Sequence, residues 1–105
     1  MCGIFGYIGK NKKPASLILE GLKSLEYRGY DSWGIVVNAN GKLKRERHAG
    51  KIGTSKTSLP SSDTAMGHTR WATHGGVTIA NAHPHFDCSG RFAVIHNGII
   101  ENERE

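Results

Sequence analysis

The 105 residues suffice for one domain at most, and a composition 37% hydrophobic and 22% charged is that of a folded protein rather than a disordered one. No apolar run approaches the roughly 20 residues that span a bilayer, and no basic segment followed by a long apolar stretch opens the chain, so no membrane partner and a cytoplasmic location are expected. The net charge of +5 sits mostly in residues 41–51 and around Lys10, Lys12 and Lys13; its alternation reads as the solvated face of a strand, and no nucleic-acid partner is expected.

Residues 2–8 (CGIFGYI) read as a short buried strand, apolar and flanked by glycine. Pro14 stands where a helix can start, and Ala15, Ile18, Leu19, Leu22 and Leu25 follow at spacings of three and four, one apolar stripe. Arg28 and Gly29 are the expected end of that helix, a cation and then a residue free to take positive φ. WGIVVN and KLKRERH flank ANG, which predicts a β-hairpin over 33–48. Gly50 to Asp63 reads as loop or a weak short helix. TAMGHTR and RFAVIH are further strand candidates, and the terminal IIENERE resembles an acidic first turn of a helix.

Four stretches carry candidate chemistry. Trimming of Met1 would leave Cys2 with a thiol and a free α-amino group on one residue. A thiol is mostly protonated at neutral pH, so a nucleophilic cysteine wants a base nearby, and a partly neutral terminal amine can serve. The alternative is a small hydrophobe at the start of a strand. In GHTRWATHGG, Arg70 leaving a strand suits bidentate capture of a carboxylate, with Trp71 as an apolar wall and Thr73 and His74 as hydrogen-bonding groups; the alternative is a surface loop around a buried tryptophan. In HNGIIEN, Asn97 and Gly98 either form a type I′ turn or combine a side-chain amide and a backbone N–H into an oxyanion hole. The histidines of HPHFDC have zinc-ligand chemistry, but no Cys-x-x-Cys pair accompanies them, so backbone satisfaction or loop shaping is expected and no metal. Nor is a disulfide expected between Cys2 and Cys88.

MCGIFGYIG, LEYRGYDSWGI, GHTRWATHGG, NAHPHFD and VIHNGIIEN, in this order, resemble the glutaminase domain of class II glutamine amidotransferases. YRGYDS, HTRWATHG, NAHPH and HNGIIEN resemble the branch that delivers ammonia to fructose 6-phosphate; Trp33 departs from its usual small residue, which implies a local packing change. The resemblance implies a mixed α/β (α+β) fold: part of an αββα N-terminal-nucleophile hydrolase sandwich with mostly antiparallel sheets. It assigns Cys2 as nucleophile, Asn97 and Gly98 as the oxyanion pair, and Arg70 to the glutamine α-carboxylate in a pocket lined by Trp71, Thr73 and His74. Arg28 supports the nucleophile. The family's aspartate for the substrate α-amino group lies downstream of Glu105.

So residues 1–105 are expected to be the N-terminal part of a glutaminase domain, incomplete and without a sugar-isomerase domain. The implied partners are glutamine and, in an intact homo-oligomeric enzyme, fructose 6-phosphate, with no metal or organic cofactor. Two other readings stand beside this one: a glutaminase module feeding another acceptor, as in amidophosphoribosyltransferase, and a non-catalytic module that uses the basic hairpin. Four or five strands and one helix would leave an apolar sheet face uncovered, so the chain alone is expected to be poorly soluble or partly ordered.

Overall fold

The computed structural model describes residues 2–10, 13–71 and 76–97. Strand β1 (Gly3–Ile8) leads to helix α1 (Pro14–Ser24), followed by β2 (Ser32–Ala39), β3 (Lys42–Ala49) and β4 (Thr64–Arg70). Two short strands, β5 (His85–Phe86) and β6 (Ala93–Val94), complete the described elements. β1 to β4 form an antiparallel sheet in the order β1-β4-β2-β3, while β5 and β6 pair with each other.

Helix α1 starts with Pro14 in its first turn, where a missing N–H costs nothing. It ends earlier than the sequence suggests. Leu25 leaves the helical region and its N–H turns to Leu22 O and Lys23 O; a 3₁₀ turn, Glu26–Arg28, follows before Gly29 takes φ 76°. Arg28 therefore lies on the 3₁₀ turn and not on the helix. Asn40 and Gly41, with φ of 53° and 81°, make the turn between β2 and β3 as the ANG signal predicts. Among the described residues the loop from Gly50 to Asp63 carries no helix, and Ile52 plugs it into the core, donating its N–H to Tyr30 Oη at 2.7 Å.

One face of the sheet receives α1. Ile18, Leu19 and Leu22 pack with Trp33, Ile35, Val37 and Ala65, all buried. Contact is close because Gly67 has no side chain; a Cβ there would collide with Ile18. Trp33 belongs to this core and stacks on His48 with ring centroids 4.4 Å apart.

The period-2 alternation of strands sends Met66, His68 and Arg70 to the opposite face. That face is covered at one end by residues 79–86. Arg47 Nη1 donates to Ala80 O and Ala82 O, and Arg45 Nη1 donates to Pro84 O, each at 3.2 Å. The Arg45 guanidinium also lies 4.0 Å over the Phe86 ring. These two arginines are thus not part of a solvated strand face, as the charge pattern suggested; they clamp a loop onto the sheet. At the other end the face is open. A cavity of about 580 Å³ lies there between Ile8, Val36, Met66 and Phe92. β1, expected to be buried, is instead an edge strand whose Ile4 and Ile8 are exposed, and RFAVIH pairs only over Ala93–Val94.

Candidate functional site

The register Gly3↔Thr69 brings the front of β1 against the end of β4. Cys2 therefore meets Trp71: the Trp71 N–H donates to Cys2 Sγ at 3.3 Å, and Sγ lies 3.8 Å from the Trp71 carbonyl oxygen. The thiol is half-buried and unbridged, and Cys88 is free and exposed elsewhere. Trp71 is half-exposed beside it, its ring facing Gly29 at the end of the 3₁₀ turn. A nucleophile candidate, an aromatic wall and the turn bearing Arg28 thus converge from three parts of the sequence.

Arg70 is the last residue of β4 and is buried, an unusual place for a guanidinium. Its Nη1 donates to Gly76 O at 2.9 Å, and its own carbonyl accepts the Asp31 N–H at 2.7 Å, tying it to the start of β2. Two residues earlier on the same face, His68 is fully buried. Its Nε2 lies 2.6 Å from Asn97 Oδ1. A tilted row of rings continues outward: His68 to His83 at 4.4 Å and His83 to His85 at 4.5 Å. His83 Nδ1 accepts the His96 N–H at 3.4 Å, so HPH does satisfy a backbone group. The row fits above β2 because Gly34, opposite His68, lets the His83 carbonyl rest on the strand.

Burial first, and then the nearby Arg70 guanidinium, disfavours the charged form of each of these rings. His68 is lowered to about 4, desolvation outweighing its hydrogen bond to Asn97. His83 is lowered to about 3, first by burial and then by His68 and His85. His85 is shifted down as well, by burial and then by Arg47, Arg45 and Arg70. No group of metal-ligating side chains occurs among the described residues.

Of the residues singled out in the sequence, Cys2 and Trp71 are in contact, Arg70 adjoins them in β4, and Asn97 reaches the same strand through His68. Thr73, His74 and Gly98 lie outside the described residues, as does IIENERE. His68 was not singled out in the sequence, and His83 was weighed only as a metal ligand or a loop-shaping residue. The signal was present: His68 shares strand parity with Arg70, two residues apart in GHTR.

No family model matches the chain. In fold, it is similar to a solved structure described as the allosteric regulatory enzyme of purine biosynthesis, with a TM-score of 0.67 and 31% identity over 80% of this chain and 18% of that one. It is likewise similar to the glutamine phosphoribosylpyrophosphate amidotransferase of B. subtilis, with a TM-score of 0.63 and 30% identity over the same shares. Fold and motifs together identify the chain with the class II, N-terminal-nucleophile glutamine amidotransferases.

In sequence, the similarity narrows. The chain is 55% identical over 107 residues to glutamine–fructose-6-phosphate aminotransferase (isomerizing) of Streptomyces coelicolor, covering 97% of this chain and 17% of the relative. It is 53% identical over 110 residues to the protein of that name from Pyrococcus horikoshii, covering 100% and 18%. The chain thus spans less than a fifth of the length of these curated relatives.

Proposed function

We propose that residues 1–105 are the N-terminal part of a glutaminase domain whose ammonia goes to fructose 6-phosphate, giving glucosamine 6-phosphate in the cytoplasm. The observation that carries this reading is the convergence of Cys2, Arg70 and Trp71 at one end of the sheet, in a chain that aligns from end to end with aminotransferases of that name. With Met1 removed, the terminal amine accepts the thiol proton and Cys2 Sγ attacks the glutamine carboxamide carbon. The C–S bond forms as the carbonyl electron pair moves to oxygen. That oxyanion is held by the Asn97 amide and the Gly98 N–H, donors worth about 3 kcal/mol each. Collapse of the intermediate breaks the C–N bond, and the amine takes its proton and leaves as ammonia. Water then cleaves the thioester, releasing glutamate and restoring the thiol.

Arg70 binds the substrate α-carboxylate, with Trp71, Thr73 and His74 lining the pocket and Arg28 supporting the nucleophile. Every charge that develops is met by thiol, amine or amide groups, so the chemistry calls for no cofactor. A phosphoribosyl pyrophosphate acceptor is the second reading, favoured by the solved structures. Identity of 53–55% to the sugar-phosphate enzymes against 30–31% to those structures supports the first reading. The basic-module reading loses support because Arg45 and Arg47 are engaged within the chain.

In the full-length protein, Cys2→Ala should abolish glutamate formation from glutamine while leaving strand amides protected in hydrogen exchange. Undiminished hydrolysis would defeat the mechanism.

A further inference from the structure

We propose that His68 is a positioning residue that sets which end of the Asn97 amide faces the substrate. The inference rests on the glutaminase reading above and adds to it a residue with no contact to substrate. An asparagine side chain has a carbonyl oxygen at one terminus and an NH₂ at the other, nearly equal in shape. Only the NH₂ can stabilise an oxyanion. Turned over, the same residue would present a partial negative charge to the developing negative oxygen, so the choice between two near-isosteric orientations decides whether Asn97 helps or hinders.

The His68 environment makes that choice. Its Nε2 faces Asn97 at 2.6 Å, while its Nδ1 is buried and finds no partner among the described residues. A neutral imidazole carries one N–H. Placing it on Nδ1 would strand a donor in the interior, whereas an unpaired acceptor lone pair is the better tolerated orphan. The hydrogen therefore belongs on Nε2, where it has a partner, and that partner must offer an acceptor. Oδ1 turns to His68, which leaves Nδ2 as the terminus of this exposed side chain that does not face the ring.

A protonated ring would also donate from Nε2 but would bury a charge beside Arg70. Full burial holds the ring neutral. Fixation is double: His83, tilted against His68 at 4.4 Å, accepts the backbone N–H of His96, so the Ile95–His96 peptide, one residue before Asn97, is tied to the same row of rings. Arg70 on the same strand face ties substrate capture and oxyanion geometry to one rigid element.

The test compares two amides at position 68 in the full-length protein. The Gln terminal nitrogen reaches the place of Nε2, and the shorter Asn reaches only the place of Nδ1. His68→Asn should lower kcat for glutamate formation about 10- to 100-fold with KM changed less than about threefold, part of the 10²- to 10³-fold carried by one oxyanion donor. His68→Gln should recover kcat to within about fivefold. On an Asn97→Ala background, His68→Asn should lower kcat by less than about twofold more, because the residue through which it acts is gone.

Equal losses in the Gln and Asn variants, a loss confined to KM, or a full additional loss on Asn97→Ala would each overturn the inference. Should His68→Asn not fold, His68→Gln carries the test in both backgrounds. Its small loss vanishes on Asn97→Ala if the inference holds and persists if it does not. A crippled Asn97→Ala with an additive position-68 effect overturns this inference alone. An undiminished Asn97→Ala, or active Cys2→Ala, overturns the glutaminase reading beneath it.

Discussion

Gly34→Ala tests whether the histidine row depends on the bare backbone of β2. Position 34 lies in the middle of the strand, opposite His68 in β4 and Arg47 in β3. A methyl group there would overlap the His83 carbonyl oxygen and approach Arg47 Cγ at 3.1 Å. The first obstacle is backbone, held down by Arg47 and Arg45, and cannot rotate away as a side-chain terminus could. The loop must lift by roughly 1 Å, and overpacking of this kind costs about 1–3 kcal/mol. Removing a glycine from a strand stabilises by about 0.4–1 kcal/mol through the unfolded chain, so the collision wins.

The site should feel the same displacement, because His83 holds the His96 N–H and packs on His68. A shift near 1 Å can lower a rate by about 10²-fold, and a loss of roughly 10- to 100-fold in glutaminase kcat is expected. Hydrogen exchange of β2 and β4 amides in the full-length protein is the stability assay. Protection should fall about tenfold, the equivalent of the roughly 1.3 kcal/mol that remains when the middle of the glycine-removal range is taken from the middle of the overpacking range. Gly6→Ala is the internal comparison: on the same sheet, its Cβ would meet nothing nearer than Ala65 O at 3.9 Å, and protection should hold or rise slightly. If Gly34→Ala matched Gly6→Ala in both assays, the close approach and the role of the row would be refuted.

If Arg70 clamps the α-carboxylate, Arg70→Ala should raise the glutamine KM by tenfold or more, and Arg70→Lys should fail to restore it, since an ammonium lacks the planar fork; a normal KM in the alanine variant would return Arg70 to a structural role. Acid should loosen the β4 region. His68 is lowered in the fold to about 4 against an ordinary value near 6.5, so below pH 6.5 the unfolded chain gains the proton first and stability falls until about pH 4, by about 3 kcal/mol in all. Exchange protection of β4, corrected for intrinsic rates, should therefore drop between pH 7 and 5, and His68→Gln should flatten the drop; an identical slope in that variant would rule out His68 as its source. Expressed alone, the 105 residues should bind an apolar dye through Ile4, Ile8, Phe92 and Val94, all exposed on this chain; a soluble monomer without dye binding and with a sharp thermal transition would contradict that expectation.

Local chemistry made much of the fold legible in the sequence. Pro14 marked the helix start, Asn40-Gly41 marked the hairpin turn because both residues must take positive φ, and TAMGHTR had the composition of a strand. Cys2, Arg70 leaving a strand and Asn97-Gly98 stood out as candidate chemistry for the same reason: each carries its functional group whatever its neighbours. The end of α1 was misplaced because Arg28-Gly29 is a valid stop signal, while the chain had already left the helix at Leu25 to make a 3₁₀ turn.

What only tertiary structure decided was who meets whom. Strand β4 separates β1 from β2, although β1 and β2 come first in the chain, and in that order α1 covers Phe5, Gly67 and Ile35 on one face. The same order turns Arg45 and Arg47 from apparent surface charges into clamps, and His68 from a spacer in GHTR into the partner of Asn97, 29 residues away. A residue's propensity is set by its own side chain and backbone, but its partner is set by which distant surfaces must be buried together. That choice belongs to the whole sheet and is written in no single segment.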